Sequence, residues 1–478
     1  MRGRLALSAL AGIAVVAGIA TGAHHSHAAS VAAPRPNILV LETDDQTLAE
    51  MEVLPNVKRL IGDEGVTFDN NFDSFSLCCP SRASFLTGQY SHNNGVRGNA
   101  PPNGGFDKLD SSNTLAVWLQ RGGYYTVHLG KYLNGYGRSN PTLIPAGWSE
   151  WHGAVDPTTY RYYNYALNEG GTLHTFCASP QASCYQTDVF RDKANEIIRR
   201  RAPEGPFFMW VAFLADHSGA PREPDDPNIS TPVPAPRYKD RFKGTPLPQP
   251  PSFNEADVSD KPRVIRGRPL LNARRIAAVQ EMWQQRRETL LAVDDAVTSI
   301  VDTLRSTGEL DNTLILFTSD NGFFHGEHRV PNGKVLWYEP SIHLPLLMRW
   351  TGNKTLPRGV HRSQLVMNVD DAETILAAAG VKPGRVEDGA SLLPLWRDGG
   401  KELGRDLLID NSPGTGHFDG IRTLHFKYAE YANGRRIASD SRAPFRTNFR
   451  LKKRAVVRAR VATAFDQLVT LDRPVRGC

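Results

Sequence analysis

Apolar positions along the chain fall into two kinds of run, and the two kinds alternate. Short continuous apolar runs predict buried β-strands at residues 37–41 and within 124–136, 206–217 and 312–322. Runs with helical spacing predict helices within residues 57–65, 114–124, 187–200 and 286–308, with Thr187 or Asp188 as a cap and Gly122, Gly123 and Gly308 as stops. This alternation predicts an α/β fold: a mostly parallel sheet sandwiched by helices.

Polar, charge-bearing residues follow these predicted strands directly. They are Asp44, Asp45, Lys131, His217, Asp320 and Asn321. In open α/β sheets, ligands bind at the carboxyl ends of the strands, so we expect these side chains to converge. A single aspartate after a strand is usually an N-cap or a turn residue, but four strand ends of this kind weaken that interpretation.

A proline-rich segment follows the third of these strand ends. Residues 218–251 contain ten prolines and few apolar runs. A loop of this length is either a functional lid or disordered. Because it follows His217 directly, we interpret it as a wall that faces the substrate.

The amino terminus has the features of a secretory signal, which we assign to residues 1–28. Arg2 and Arg4 supply the positive charge, Leu5–Ala20 is apolar, and Ser26-His27-Ala28 resembles a cleavage site. An uncleaved anchor is the alternative, but the apolar stretch is short for a membrane span. We therefore expect a secreted or periplasmic protein without stable membrane association.

The formal net charge of +6 is concentrated at the carboxyl terminus. Residues 441–478 hold ten Lys and Arg and two Asp, so this tail carries +8 and the remainder −2. A basic tail without a basic surface elsewhere does not predict a nucleic-acid-binding protein. The tail is either a divergent end or an anion-binding extension.

The five cysteines point to two different uses. Cys177 and Cys184 bracket a short loop and could form a disulfide, or stay as two thiols. Cys78 and Cys79 have no obvious partners. Pro80 suits the first turn of a helix, which would place Cys78 just before a helix amino terminus, where the dipole favours an anionic group. A cysteine in this position could be a thiolate nucleophile, if a histidine base lies nearby.

The sequence Cys78-Cys79-Pro80-Ser81-Arg82, followed by Leu86-Thr87-Gly88, resembles the signature of the type I, formylglycine-dependent sulfatases. The blocks "RPNILVLETDDQ", "GKYLNGY", "FTSDNG" and "HFKYAEYANG" extend the resemblance to about residue 434. The similarity is greatest to the branch with N-acetylglucosamine-6-sulfatases, extracellular heparan sulfatases and bacterial arylsulfatases. It implies an alkaline-phosphatase-like catalytic domain at 29–400, a small antiparallel subdomain at 401–440 and a divergent tail at 441–478.

The resemblance also implies a role for each site residue. Cys78 would be oxidised to Cα-formylglycine by a formylglycine-generating enzyme, and the converted residue would complete a metal shell. The other metal ligands would be Asp44, Asp45, Asp320 and Asn321. Arg82 would steady the formylglycine, Lys131 and Lys334 would bind sulfate, and His217 or Lys334 would protonate the leaving group. The spacing also leaves His325 and His328 open as site residues.

Carboxylate and amide oxygens suit Ca²⁺, with Mg²⁺ possible, rather than zinc. The expected activity is hydrolysis of a sugar or aryl sulfate ester to an alcohol and inorganic sulfate. Two alternatives remain open at this point: a phosphodiesterase or phosphonate monoester hydrolase of the same superfamily, and a non-catalytic binder of sulfated glycans.

Overall fold

The structure is a computed structural model that describes residues 35–177, 182–413 and 417–431, and the backbone of 436–440 and 448–449. The predicted signal peptide and nearly all of the predicted tail lie outside the described residues. Among the described helices, none has both the length and the apolarity that a membrane span requires.

A mixed sheet of eleven strands forms the body of the described chain. The strands are β1 (Asn37–Thr43), β2 (Val66–Phe72), β3 (Tyr125–Gly130), β4 (Glu150–Ala154), β5 (Tyr165–Glu169), β6 (Thr172–Phe176), β7 (Phe207–Ala212), β8 (Thr313–Ser319), β9 (His343–Leu344), β10 (Leu346–Arg349) and β11 (Val360–Met367). Their order is β11-β2-β10-β8-β1-β7-β3-β4-β5-β6, and β9 pairs with β2. The central strands β8, β1, β7, β3 and β4 are all parallel, which confirms the predicted sheet.

Helices cover both faces of this sheet. They are α1 (Pro55–Val57), α2 (Cys78–Thr87), α3 (Ser91–Asn94), α4 (Leu115–Arg121), α5 (Gln186–Arg201), α6 (Arg263–Arg266), α7 (Ala273–Ser306), α8 (Glu339–Ile342), α9 (Asp370–Ala379) and α10 (Leu393–Arg397). Alternate residues of β1 face opposite sides. Leu39 and Leu41 pack with α5 and α7, whereas Ile38 and Val40 pack with α2, α4 and α9. Short 3₁₀ helices span Leu48–Val53, Phe106–Lys108, Ala182–Cys184 and Ala202–Glu204, and a π-helical turn spans Lys58–Gly62.

The long helix α7 begins thirteen residues earlier than the predicted start at residue 286. The Asn272 side chain accepts a hydrogen bond from the Arg275 backbone N–H and caps the helix. Strong helix formers (Ala, Arg, Gln, Glu and Met) fill most of the added turns, so the helix continues where the apolar pattern is weaker.

Three smaller predictions about helix ends are also corrected. Helix α5 begins at Gln186, so Thr187 and Asp188 lie in its first turn, and neither is the cap. Helix α2 begins at Cys78 itself, with Leu77 as the cap residue. The helix predicted at 57–65 is instead α1 followed by the π-helical turn. Its amino-terminal N–H groups, from Asn56 and Val57, are bound by the carboxylate of Asp294 on α7.

A second, antiparallel sheet lies near the carboxyl terminus and confirms the predicted small subdomain. Its strands are β12 (Leu407–Ile409), β13 (Phe418–Arg422), β14 (Phe426–Tyr431), β15 (Arg436–Asp440) and β16 (Asn448–Phe449), in that order. Leu407, Ile409 and Phe418 pack in one apolar cluster with Phe72 at the end of β2 and with Trp337.

The proline-rich segment packs against the amino-terminal half of α7. Ile229 and Leu247 from this segment share an apolar cluster with Val279, Met282 and Trp283 of the helix. The later turns of α7 pack under the central strands instead. The first turns of α7 and the proline-rich segment therefore form one structural unit next to the sheet.

Gly130, the last residue of β3, provides a test of how closely the strands approach. Its φ is +100°, and a Cβ atom there would lie 2.1 Å from the Ala212 carbonyl oxygen. We expect Gly130→Ala to lower the free energy of unfolding by about 3–5 kcal/mol, because a left-handed backbone cost and a steric clash add together.

Gly308 is the matched control for this substitution. Its φ is +79°, and a Cβ atom there would have no neighbour within 4 Å. Gly308→Ala should therefore cost about 1–2 kcal/mol, the left-handed backbone cost alone. Urea denaturation of the two variants measures the difference, and equal losses would contradict the close approach.

Candidate active site

The residues predicted from the strand ends lie together at the carboxyl edge of the central strands. Asp44 and Asp45 follow β1, Asp320 and Asn321 follow β8, and Lys131 follows β3. The Asp45 backbone N–H donates to Asp320 Oδ1 at 3.0 Å, and Asn321 Nδ2 donates to Asp45 Oδ1 at 2.7 Å. The parallel pairing of β1 and β8, with Thr43 opposite Ser319, makes these contacts unavoidable.

Cys78 joins this group from the first turn of α2. Its Sγ lies 3.5 Å from Asp44 Oδ1, 3.9 Å from Asp45 Oδ1 and 2.8 Å from Lys334 Nζ. The side chain is 1% exposed. Burial raises the pKa of the Cys78 thiol well above its usual value, and the Asp44 carboxylate raises it further. These surroundings favour the neutral thiol, which is a weak nucleophile.

Arg82, one turn further along α2, binds three carboxylates and a carbonyl. Its Nε donates to Asp320 Oδ2 at 2.8 Å. Its Nη2 lies 3.2 Å from Asp44 Oδ2 and 3.1 Å from Glu42 Oε1. Its Nη1 donates to the Lys131 carbonyl at 2.9 Å. The guanidinium is fully buried, so these contacts replace the water that would otherwise solvate it.

Two lysines complete the charge arrangement. Lys131 Nζ contacts Asp44 Oδ2, and Lys334 Nζ contacts Asp45 Oδ1. Burial alone would raise the pKa of both aspartates, but the neighbouring lysines, with His217, lower the two pKa values below their usual range. Both carboxylates are therefore charged at neutral pH and available to bind cations.

His217 lies on the other side of the aspartate pair. Its Nε2 is 3.7 Å from Asp45 Oδ2, and its Nδ1 is 2.6 Å from the Ser218 carbonyl oxygen. Tyr160 packs beside it, with ring centroids 4.7 Å apart, and the same tyrosine ring lies 4.8 Å from Lys131 Nζ. Burial lowers the pKa of His217, against the opposing effect of the two aspartates.

Four side chains of this group could hold a metal ion. Asp44, Asp45, Cys78 and His217 each place a possible ligand atom within 4.8 Å of the others. The ammonium group of Lys334 lies among the expected metal ligands. Its Nζ atom contacts Asp45 Oδ1 and is 3.3 Å from Asn321 Oδ1. Carboxylate and amide oxygens of this kind suit Ca²⁺ or Mg²⁺.

A second group of buried charged residues, which the sequence reasoning missed, lies next to the edge residues and contacts them. Arg286 on α7 donates from Nη2 to the Asp45 carbonyl at 2.7 Å, and it pairs with Asp216 and Glu50 at 2.9 and 3.0 Å. Glu42, inside β1, accepts a hydrogen bond from the Trp210 indole at 2.9 Å. Burial raises the pKa of Glu42 to about 7, although Arg82 opposes this shift.

Several other residues singled out in the sequence lie apart from the site. His325 Nε2 lies 3.6 Å from Glu50 Oε1, and His328 Nδ1 lies 2.7 Å from Glu255 Oε2. The core between the sheet and α4 also contains Trp148 and Trp151. Cys79 is buried in the same core. A disulfide joins Cys177 to Cys184.

The fold and the site together define an α/β protein of the alkaline-phosphatase-like class. A sulfatase family model matches residues 36–381. The chain is 34% identical over 419 residues to the human N-acetylglucosamine-6-sulfatase, covering 85% of this chain and 71% of that enzyme. It is 34% identical over 373 residues to the arylsulfatase of Volvox carteri, covering 74% of this chain and 56% of the algal protein. The chain belongs to the sulfatase family.

Solved structures show the same fold. The structure of BT4656 in complex with its substrate D-glucosamine-2-N,6-O-disulfate superposes with a TM-score of 0.71 at 27% identity, covering 86% of this chain and 92% of that chain. The phosphonate monoester hydrolase of Agrobacterium radiobacter superposes with a TM-score of 0.65 at 21% identity, covering 86% and 90%. The second similarity concerns the fold alone.

Arg82 provides the stability test of this site. We expect Arg82→Met to lower the free energy of unfolding by about 3–5 kcal/mol, because it leaves buried carboxylates without their cation. Adding Glu42→Gln to Arg82→Met should change this loss little, because the pKa of Glu42 is about 7 even beside Arg82 and rises further without it, so that Glu42 is already neutral in the single variant.

Chemical denaturation of the single and double variants measures these energies. The control is Arg305→Met, which removes an exposed guanidinium paired with Asp302 on α7 and should cost less than about 1 kcal/mol. A cost for Arg82→Met as small as that of the control would contradict the structural role of Arg82.

Proposed function

We propose that this chain hydrolyses sulfate esters to an alcohol and inorganic sulfate, with Cys78 converted to formylglycine and a divalent cation bound beside it. The observation that carries the proposal is the position of Cys78 Sγ. It lies at the amino terminus of α2, between the Asp44 carboxylate and the Lys334 ammonium group. The nucleophilic hydroxyl of a formylglycine hydrate at this position would be next to both a cation-binding group and an anion-binding group.

The cation proposed here is Ca²⁺, with Mg²⁺ as the alternative. Asp44, Asp45, Asp320 and Asn321 would hold it together with the converted Cys78. When bound, it would supply Lewis-acid charge that screens the sulfate oxygens. Arg82 pairs with two of these carboxylates, Asp44 and Asp320, and keeps them at a fixed separation.

The remaining residues would bind sulfate and move a proton. Formylglycine hydrate supplies two hydroxyls on one carbon, one to attack sulfur and the other to release sulfate, so that no water needs to attack sulfur. Lys131 and Lys334 would place ammonium groups on the sulfate oxygens as charge develops. His217 or Lys334 would protonate the leaving oxygen, a contribution worth about 10²–10⁴ in rate.

The substrate class proposed is a sulfated sugar. The curated relatives include N-acetylglucosamine-6-sulfatases, and the solved relative at 27% identity carries D-glucosamine-2-N,6-O-disulfate as its substrate. Aryl sulfates are the second class, since arylsulfatases are similar to this chain at the same level.

Export is proposed from the signal-like residues 1–28, and it would follow maturation by a formylglycine-generating enzyme.

Mass spectrometry of tryptic peptide 60–82 tests the modification, because this peptide contains both Cys78 and Cys79. We expect an aldehyde at Cys78 that reacts with hydroxylamine, and an unmodified Cys79. Cys78→Ala should lower kcat on p-nitrophenyl sulfate by about 10⁴-fold or more, since the attacking group is lost. Cys79→Ala is the matched control and should keep the aldehyde.

Two results would reject this assignment: an unmodified thiol at position 78 in an active preparation, or near-normal turnover by Cys78→Ala. Parallel assays on p-nitrophenyl phosphate and a phenylphosphonate ester separate sulfatase from phosphonate hydrolase activity. Higher kcat/KM on the phosphorus esters would favour the hydrolase alternative. Sulfated-glycan binding without turnover would favour the non-catalytic one.

Metal binding can be tested without an activity assay. After chelation, adding Ca²⁺ at about a hundred times its Kd should stabilise the fold by about 2.7 kcal/mol, through binding to the native state alone. Asp320→Asn should weaken this stabilisation. Asp295→Asn, at a partly exposed carboxylate that pairs with Arg237, should leave it unchanged. Calorimetry that detects no Ca²⁺ or Mg²⁺ binding to the folded protein would contradict the site.

A further inference from the structure

An arginine-lined cavity of about 790 Å³ lies outside the site described above. Three separate segments line it: residues 226–228 of the proline-rich segment, residues 268–278 around the start of α7, and residues 329–331. Four arginines are part of this lining: Arg268, Arg274, Arg275 and Arg329.

The sequence of this region is strongly basic. Residues 263–275 contain five arginines and no acidic residue. Within the ranges that the structure describes, Arg268, Arg274 and Arg275 form no ion pair with a carboxylate. The buried Nε atom of Arg268 also has no hydrogen-bond partner there. These guanidinium groups are therefore not paired with carboxylates of the described chain and are available to an anion.

The other charges of the lining do not neutralise these arginines. Asp226 is fully engaged, because its oxygens accept hydrogen bonds from the Glu223 backbone N–H, Thr231 Oγ1 and Gln285 Nε2. Arg329 adds a further positive charge, and three backbone carbonyl groups, including that of Arg268, hold it in place. The lining therefore combines four arginines with one carboxylate and carries a net positive charge, and backbone contacts hold Arg329 in place.

The cavity lies within reach of the candidate active site. Pro331 in the lining is three residues before Lys334, so their Cα atoms are at most about 11 Å apart. Arg275 and Arg286 lie on the same helix, about 16 Å apart along its axis, and Arg286 binds the Asp45 carbonyl. A substrate that extends beyond one sugar ring can span such a distance, whereas a small aryl sulfate cannot.

We propose that this cavity binds a second anionic group, a sulfate or carboxylate, of a multiply sulfated oligosaccharide whose scissile sulfate lies at Cys78. This inference rests on the proposed function and narrows its substrate class. The planar guanidinium group of an arginine can donate two hydrogen bonds to one sulfate or carboxylate. Leu270, 54% exposed in the lining, offers an apolar surface for the face of a sugar ring.

The double variant Arg274→Gln/Arg275→Gln tests the proposal on the full, matured chain. We expect the ratio of kcat/KM on a heparin-derived hexasaccharide to kcat/KM on p-nitrophenyl sulfate to fall about tenfold, because two charge contacts to the longer substrate are lost. Calorimetric binding of the hexasaccharide should weaken similarly and depend less on salt.

The control is Arg121→Gln/Lys382→Gln, which removes the same charge from exposed positions near the amino end of β3. It should leave both the ratio and the binding unchanged. Residues 441–478 are present in every variant, so differences between variants do not come from that tail. A hexasaccharide that is both desulfated and carboxyl-reduced, with the anions removed, should bind the wild type and the double variant equally weakly.

The outcomes separate this inference from the proposed function. An unchanged ratio and unchanged binding in Arg274→Gln/Arg275→Gln would overturn the cavity proposal, even if sulfate esters are hydrolysed. Hexasaccharide binding that is lost in this variant would support the cavity even if no sulfate ester is hydrolysed. Equal weakening for a single-stranded oligonucleotide of matched charge would also overturn it, since the cavity would then attract any polyanion.

Discussion

The pairing of Arg82 with three buried carboxylates is the interaction on which the site depends. Parallel pairing of β1 and β8 brings Asp44 and Asp320 to one point, and Glu42 lies directly behind them. Carboxylates at this separation repel one another strongly away from water, so they require fixed cations. Arg82 meets this requirement with three donors at set angles. A lysine, with one point charge, could not hold all three carboxylates in fixed positions.

The central fold and the convergence of the site could be predicted because both follow from local pattern and one topological rule. Continuous apolar runs mark strands buried on both faces, and the polar residues after Leu41 and Phe317 must then share one edge. Arg286 could not be predicted in the same way. It lies mid-helix among other charged residues, and its contact with Glu50 joins positions 236 residues apart in sequence. Nothing in the local pattern separates it from a solvated arginine.

The early start of α7 escaped prediction for a related physical reason. Its first turns lack a strong apolar stripe of their own and bury Val279, Met282 and Trp283 in a cluster with the proline-rich segment and Phe323. Two segments with little independent pattern therefore stabilise each other. The same helix then reaches the carboxyl edge of the central strands through Arg286 and packs under β1 and β8 further along. One rigid element connects the sheet core, the edge residues and the arginine-lined cavity.

Under the proposed function, this arrangement would separate chemistry from substrate choice. The edge residues are almost entirely buried and contact one another, so they offer little surface to distinguish one alcohol from another. Related folds carry sulfate and phosphonate chemistry, so the sheet alone does not select the ester. Under the proposed function, selection of the alcohol would come from surfaces next to the edge that are fixed to it. The proline-rich segment and the amino-terminal half of α7 meet both conditions, because they stand outside the sheet yet share the helix that fixes Asp45.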